Sequence, residues 1–404
     1  MTGQTLIPVD QALAEMLASA KALENIESAP LNRSLGRVLA RDYTVPADVP
    51  PADNSGVDGY ALAVADLVQG RPLPVSDRLP AGAAPTVLRP GTAVRIFTGS
   101  EIPPGADAVV MQERVERTGD QIVVQAEVRP GQNIRRRGQD LSEGDLALST
   151  GTRIRPQEMG LLGSIGVSEV AVYRPLRVAV LCTGDELVEP GKPLAPGQIY
   201  NSNQFLLTGL IAQAGCELAH YETLRDNREA TRASFTRAAQ LADVIITSGG
   251  VSVGEEDHVR AVLETSGQLS MWRMAIKPGK PLAFGNYDGT PFIGLPGNPA
   301  SVLVCFLVMA MPYLRARQGR TRTQPRGVTL PAAFETHETS VRREFVRARL
   351  EGDGSSARVA AYPNQSSGVL SSACWGDGLA VVPENTRVTP GDPVLYYSYE
   401  ELLS

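Results

Sequence analysis

Lys277 and Lys280 flank Pro278-Gly279, which places two ammonium groups on one stiff turn. Gly-rich loops stand on either side, Thr247-Ser-Gly-Gly-Val-Ser-Val-Gly254 and Gly294-Leu-Pro-Gly-Asn-Pro299. Loops lacking Cβ atoms let backbone N–H groups approach an anion, and a following helix N-terminus adds its dipole. Lysines add point charges for oxyanions. The set predicts a site for a phosphorylated ligand. Ser248, Gly249, Gly250 and Ser252 come from the first loop, and Pro296, Gly297, Asn298 and Pro299 from the last. Turn punctuation explains any one of these loops but is a poor account of all of them. Separately, the lysines also read as a solvated turn, and Asn298 as a cap on the helix that follows.

Acidic residues at strand ends are the metal candidates. Asp185 and Glu186 follow Thr183-Gly184, Asp226 follows a strand, and Asp257 lies just past the first Gly loop. Carboxylates beside a phosphate site repel each other and the ligand, and a divalent cation relieves that repulsion. All four stay open as ligands, Glu186 and Asp257 among them, of a hard cation such as magnesium. Asp226 is equally placed to cap a helix, and Asp257 to complement a helix dipole. The histidines are few (His220, His258, His337), and Cys182, Cys216, Cys305 and Cys374 are widely spaced. A zinc or iron site is therefore poorly supported. No Gly-x-Ser-x-Gly elbow with a histidine and no dinucleotide fingerprint occurs.

These residues need a scaffold that brings strand ends together. Arg177 to Cys182, Glu217 to Leu224 and Asp243 to Thr247 read as strands. Asn201 to Gln213, Arg228 to Ala242 and the segment from Glu255 read as helices. Strand–helix alternation predicts a parallel sheet with helices on both faces. Ligands on such sheets bind beyond the carboxyl ends of the strands, so Thr183, Gly184 and Ser248 should line one crevice.

The rest of the chain reads differently. Val9 to Ser28 has apolar residues at helical spacing. Short β-like runs separated by Gly and Pro turns fill Asp53 to Asp145. Gln157 to Leu162 is helical and expected to pack on the N-terminal helix, and Gly327 to Tyr399 returns to short strands. The expected architecture is multidomain α/β plus β. A discontinuous N-terminal domain (1–45 and 146–175) carries an all-β insert (46–145). A three-layer α/β/α domain (176–325) and a β-barrel-like C-terminal domain (326–404) follow.

At 404 residues and 43% hydrophobic, the chain can bury several cores. A net charge of −6 gives no blanket affinity for nucleic acid or anionic membrane. The basic run Arg135-Arg-Arg137 reads as a solvated turn or as a contact for an anion. Residues 1–10 lack a basic, apolar leader, and Ala300 to Leu314 reads as a core helix. Unpaired cysteines suit a reducing compartment, so a cytoplasmic location is expected.

Several motifs together resemble the MoeA family, the molybdopterin molybdenumtransferases. They are Thr183-Gly-Asp-Glu-Leu187, Gly197-Gln-Ile-Tyr-Asn-Ser-Asn203, the three loops between Thr247 and Pro299, Asp53-Asn-Ser-Gly-Val-Asp-Gly-Tyr-Ala61 and Arg135-Arg-Arg-Gly-Gln-Asp140. Positions 56 and 57 are Gly-Val where the family usually has Ala-Met. The resemblance implies insertion of molybdate into adenylylated molybdopterin, with AMP released and magnesium assisting. It implies a homodimer in which the insert of one subunit faces the α/β domain of the other. Asp58, Thr98 and Asp140 would then complete a cleft holding Glu186, Asp226, Asp257, Lys277 and Lys280. An adenylyltransferase and molybdoenzyme maturation proteins are the partners it suggests. Two other readings stand beside it: an adenylyltransferase-like phosphate-binding enzyme, and a scaffold like the related gephyrin E domain.

Overall fold

Two distant stretches of chain build the first unit. Ile26–Pro30 pairs antiparallel with Glu169–Tyr173, Ile26 opposite Tyr173. Ala29, Leu39, Tyr43, Ile154, Leu162 and Val172 bury a common core there. Pro156–Ser164 closes on it as a helix, with Pro156 in the first turn and the Glu158 carboxylate accepting from the Arg155 N–H at 2.9 Å. This is a computed structural model, and it describes residues 6–224, 227–251, 258–279 and 281–404.

The chain leaves and re-enters this unit through paired passes. Tyr43–Thr44 pairs with Leu146–Leu148, Val49 bridges Leu141, and Asn54–Ser55 pairs with Ile134–Arg135. Beyond them lies the insert, a six-stranded sheet. Its order is Ala108–Met111, Gly59–Leu62, Ala93–Ile96, Leu73–Leu79, Gln121–Val124, Val115–Thr118. Alternation along Gly59–Leu62 sends Tyr60 and Leu62 into one core and Ala61 into another.

The first helix is shorter than its periodicity suggests and sits elsewhere than expected. It spans Val9–Ser19, not Val9 to Ser28. Residues 26–30 find a strand partner instead, and Pro30 is unsuited to a helix interior. Val9, Ala12 and Met16 join the core of the α/β sheet, against the helix Met311–Arg317. Arg343 clamps Asp10 with two bonds of 2.6 and 2.8 Å. The helix Pro156–Ser164 therefore does not pack on it. Its own apolar residues meet Leu31 and the strand pair instead.

The α/β sheet runs Glu217–Leu224, Arg177–Thr183, Val244–Ser248, Thr290–Leu295, Pro281–Tyr287, Gly267–Arg273. The first four are parallel, and the last two are antiparallel to their neighbours. The expected wholly parallel sheet is thus a mixed one. Asp288-Gly289 is the reason: φ values of +49° and +81° make a two-residue hairpin turn. Helices Ser202–Gln213 and Arg228–Leu241 cross over between parallel strands. Asn227 caps the second helix through its side chain, a role that Asp226 was equally placed to fill.

Pro299–Arg317 is apolar and long enough to cross a membrane by length and composition, yet 83% of its window is buried in the protein. It is the core helix. A curled C-terminal sheet follows, built from Val328–Pro331, Arg343–Glu351, Arg358–Ala361, Gly378–Val382 and Pro393–Ser398. Its last member comes from the α/β half. Ile276–Lys277 pairs in parallel with Arg343–Glu344, which seats this sheet beside the lysine turn.

Candidate active site

The carboxyl ends of Arg177–Thr183, Val244–Ser248 and Thr290–Leu295 lie side by side, because these strands are neighbours in parallel register. Their loops touch. Gly249 N–H donates to Leu295 O at 3.1 Å. Gly249 has φ +85°, and an added Cβ would lie 2.7 Å from Thr183 Oγ1 and 2.9 Å from Thr183 O. Gly250, at φ +65°, packs equally tightly on Thr183 and Val259. These two glycines are required by close approach, as the anion-loop reading expects.

Asn203 ties the loops together. Its Nδ2 donates to Ser248 Oγ at 2.8 Å and to Gly297 O at 2.7 Å. Asn201 positions it by capping the helix Ser202–Gln213, its side chain accepting from Gln204 N at 3.2 Å. Asn298 occupies the cap position of the core helix but makes no side-chain cap bond. The N–H groups of Gly297 and Asn298 have no hydrogen-bond partner among the described residues.

Above these loops opens a cleft of about 980 Å³. Thr183, Glu186, Asn203, Ser248, Lys277 and the Pro296–Pro299 loop line one side. Arg342 and the segment 365–368 line the other, so the C-terminal sheet supplies a full wall. Ala300 N–H donates to Ser367 O at 3.0 Å, fastening that wall to the core helix. Arg347, 1% exposed, donates to Ser366 O and Ser372 Oγ at 3.0 Å and supports the segment from behind. Lys277 is half-exposed, and its Nζ donates to Glu344 Oε1 at 2.7 Å. Lys277 therefore stands at the cleft in an ion pair and is still partly open to solvent.

The remaining candidates divide. Gly184 turns at φ +144° with the Glu186 carboxylate folded against it, and Glu186 O accepts from Ile199 N. Asp226, Ser252, Asp257 and Lys280 lie outside the described residues. Among the described residues no group of three or more His, Cys, Asp and Glu side chains forms a metal cluster. Glu186 is one carboxylate in the cleft. Such a donor fits magnesium, which keeps several waters and takes substrate phosphate oxygens. Cys182 also borders the cleft, but burial pushes its thiol up to about 11. It is a neutral thiol and not a ready metal ligand.

Asp58 and Thr98 come together on the insert. Thr98 N–H and Oγ1 donate to Asp58 Oδ1 at 2.8 and 2.9 Å. Those bonds, with Arg95 nearby, hold the Asp58 carboxyl below the usual carboxylate range. Asp140 is exposed and has no side-chain partner among the described residues. None of the three lines the cleft of its own chain. In the basic run, Arg136 pairs with Asp53 at 2.6 Å and Arg137 with Asp48 at 2.5 Å. Two of its three charges are thereby committed to fixing the loop.

Sequence reasoning missed Arg342, Glu344 and the segment 365–368, which carry no motif of their own. Asn203 ends the motif Gly197-Gln-Ile-Tyr-Asn-Ser-Asn203, and its cap-plus-amide spacing from Asn201 was a usable signal.

Three regions of the chain match known families. Residues 7–166 match the MoeA N-terminal region (domain I and II), 179–316 a probable molybdopterin binding domain, and 329–399 the MoeA C-terminal region (domain IV). A molybdopterin molybdenumtransferase of Haemophilus influenzae is 44% identical over 317 residues, 78% of each chain. Molybdopterin molybdenumtransferase 2 of Mycobacterium tuberculosis is 34% identical over 397 residues, covering 93% of this chain and 94% of that one. The crystal structure of a molybdopterin biosynthesis MoeA protein from Pyrococcus horikoshii superposes with a TM-score of 0.85 at 30% identity, covering 98% and 100% of the two chains. The chain belongs to the MoeA family of molybdopterin molybdenumtransferases.

Proposed function

We propose that this transferase of molybdenum cofactor biosynthesis inserts molybdate into adenylylated molybdopterin, with release of AMP, in the cleft between the Gly-rich loops and the C-terminal wall. The observation that carries the reading is the placement of Lys277. Lys277 lines a cleft floored by the loop ends of three parallel strands. Gly297 and Asn298 offer N–H groups, unpaired among the described residues, to phosphate or molybdate oxygens, and Lys277 and Arg342 offer charge. Magnesium, with Glu186 among its ligands, would neutralise charge on the phosphoanhydride. The buried cysteine thiols are consistent with sulfur ligands supplied by the substrate. The matches to N- and C-terminal MoeA regions favour this reading over an adenylyltransferase and over a scaffold. Purified protein given adenylylated molybdopterin, molybdate and magnesium should release AMP and insert molybdenum in equal amounts. AMP release without inserted molybdenum would make it a hydrolase of the same substrate.

The active assembly in this proposal is a homodimer in the cytoplasm. Asp58, Thr98 and Asp140 stand on an insert that does not reach its own cleft. Ile199, 55% exposed, lines the cleft, Phe205, 57% exposed, stands on the helix Ser202–Gln213, and both suit burial by a second chain. Co-expressed Asp58→Ala and Glu186→Ala chains should partly complement, because one mixed cleft keeps both carboxylates. Activity no higher than either parent would place the site within one chain.

A further inference from the structure

We infer that Glu344 is a positioning residue for molybdenum insertion, acting by holding the Lys277 ammonium in the cleft. The inference rests on the cleft assignment above and adds a residue to it.

The placement is built, not incidental. Lys277 stands opposite Glu344 in the parallel pairing of Ile276–Lys277 with Arg343–Glu344, so their side chains leave adjacent strands together. Glu344 is also paired to Val382 on its other side, which fixes its backbone from both edges. Its carboxylate is 17% exposed and accepts from Lys277 Nζ at 2.7 Å. Arg343, beside it, is already held by Asp10 and Glu384. Arg342 contacts Ile276 O and has no carboxylate partner among the described residues.

A carboxylate on the cleft's lysine lowers the positive field that an oxyanion meets. For simple anion capture that is a cost. It becomes useful if the ammonium must be held at one point. Lysine carries a flexible four-carbon stem with much rotamer entropy to lose. An ammonium has three donors, and Glu344 occupies one, leaving two aimed by the pair. Reacting groups held in place gain rate that loosely held ones do not. Glu344 should therefore matter for turnover more than for affinity.

A double-mutant cycle separates these roles. Glu344→Ala should lower kcat for molybdenum insertion by roughly 5- to 30-fold, within the range of directly coupled residues. The KM for molybdate should stay level or fall. On the Lys277→Ala background, Glu344→Ala should cost no more than about 2-fold, since its target is gone. Glu344→Gln keeps an oxygen within reach of the ammonium and should recover part of the loss. Losses that multiply in the double variant overturn the inference, as does an undiminished kcat in Glu344→Ala. If Glu344→Ala does not fold, Glu344→Gln runs the same cycle, and a loss retained in full without Lys277 overturns the inference equally. Unimpaired insertion by Lys277→Ala alone would sink the cleft assignment and this inference together. A damaging Lys277→Ala with multiplying losses sinks this inference alone.

Discussion

Lys277→Ala should cut molybdenum insertion roughly 10- to 100-fold, because a charged contact to an oxyanion contributes about 1.5–3 kcal/mol. The fold should barely change. Lys277 is 44% exposed, and among the described residues its side chain pairs with Glu344 alone. A partly exposed ion pair contributes on the order of 0.2–1 kcal/mol. Insertion rate and thermal melting, measured on one preparation, check both halves. Near-normal insertion would remove the oxyanion role. A melting temperature lowered as far as a core variant's would make Lys277 structural.

The second large effect concerns the phosphate loop itself. Gly249→Ala should destabilise the α/β domain by about 2–4 kcal/mol, from a strained positive φ and from overpacking. The added Cβ meets Thr183 Oγ1 and the Thr183 carbonyl, both under 3 Å away on the neighbouring strand. A carbonyl in a strand has little room to move. Gly297→Ala is the control. It has no positive φ, and its nearest neighbour would be Gly249 Cα at 3.7 Å. Denaturant midpoints of the two variants should differ clearly. Equal midpoints would mean that the loop relaxes freely and that Gly249 is not there for close packing.

Much of this site was legible in the sequence because its signals are local. The strand Val244–Ser248, the Gly-Gly pair behind it and the Pro-Gly lysine turn are contiguous patterns with single physical meanings. Neighbouring parallel strands then bring Thr183, Ser248 and Pro296 to one edge without further information. Tertiary competition hid the rest. Residues 20–25 continue an apolar helical spacing, but the strand partner at 169–173 claims the chain from Ile26. The mixed sheet was readable at Asp288-Gly289, a hairpin dipeptide passed over in favour of strand–helix alternation. Arg342 and Glu344 carry no local signal. Arg342 lines the cleft and Glu344 meets Lys277 because a two-residue strand, Ile276–Lys277, joins a sheet formed more than sixty residues later. The carboxylates of the insert were legible by resemblance alone, since the loop at Asp58 reads as a turn.

The central claim is that the cleft between the Gly-rich loops and the C-terminal wall holds the reacting groups. Crystals soaked with molybdate test it most directly. The account predicts a tetrahedral oxyanion within hydrogen-bonding distance of Lys277 Nζ, on the side of Gly297 and Asn298. A saturating soak that orders molybdate elsewhere, and leaves only water beside Lys277, would contradict it.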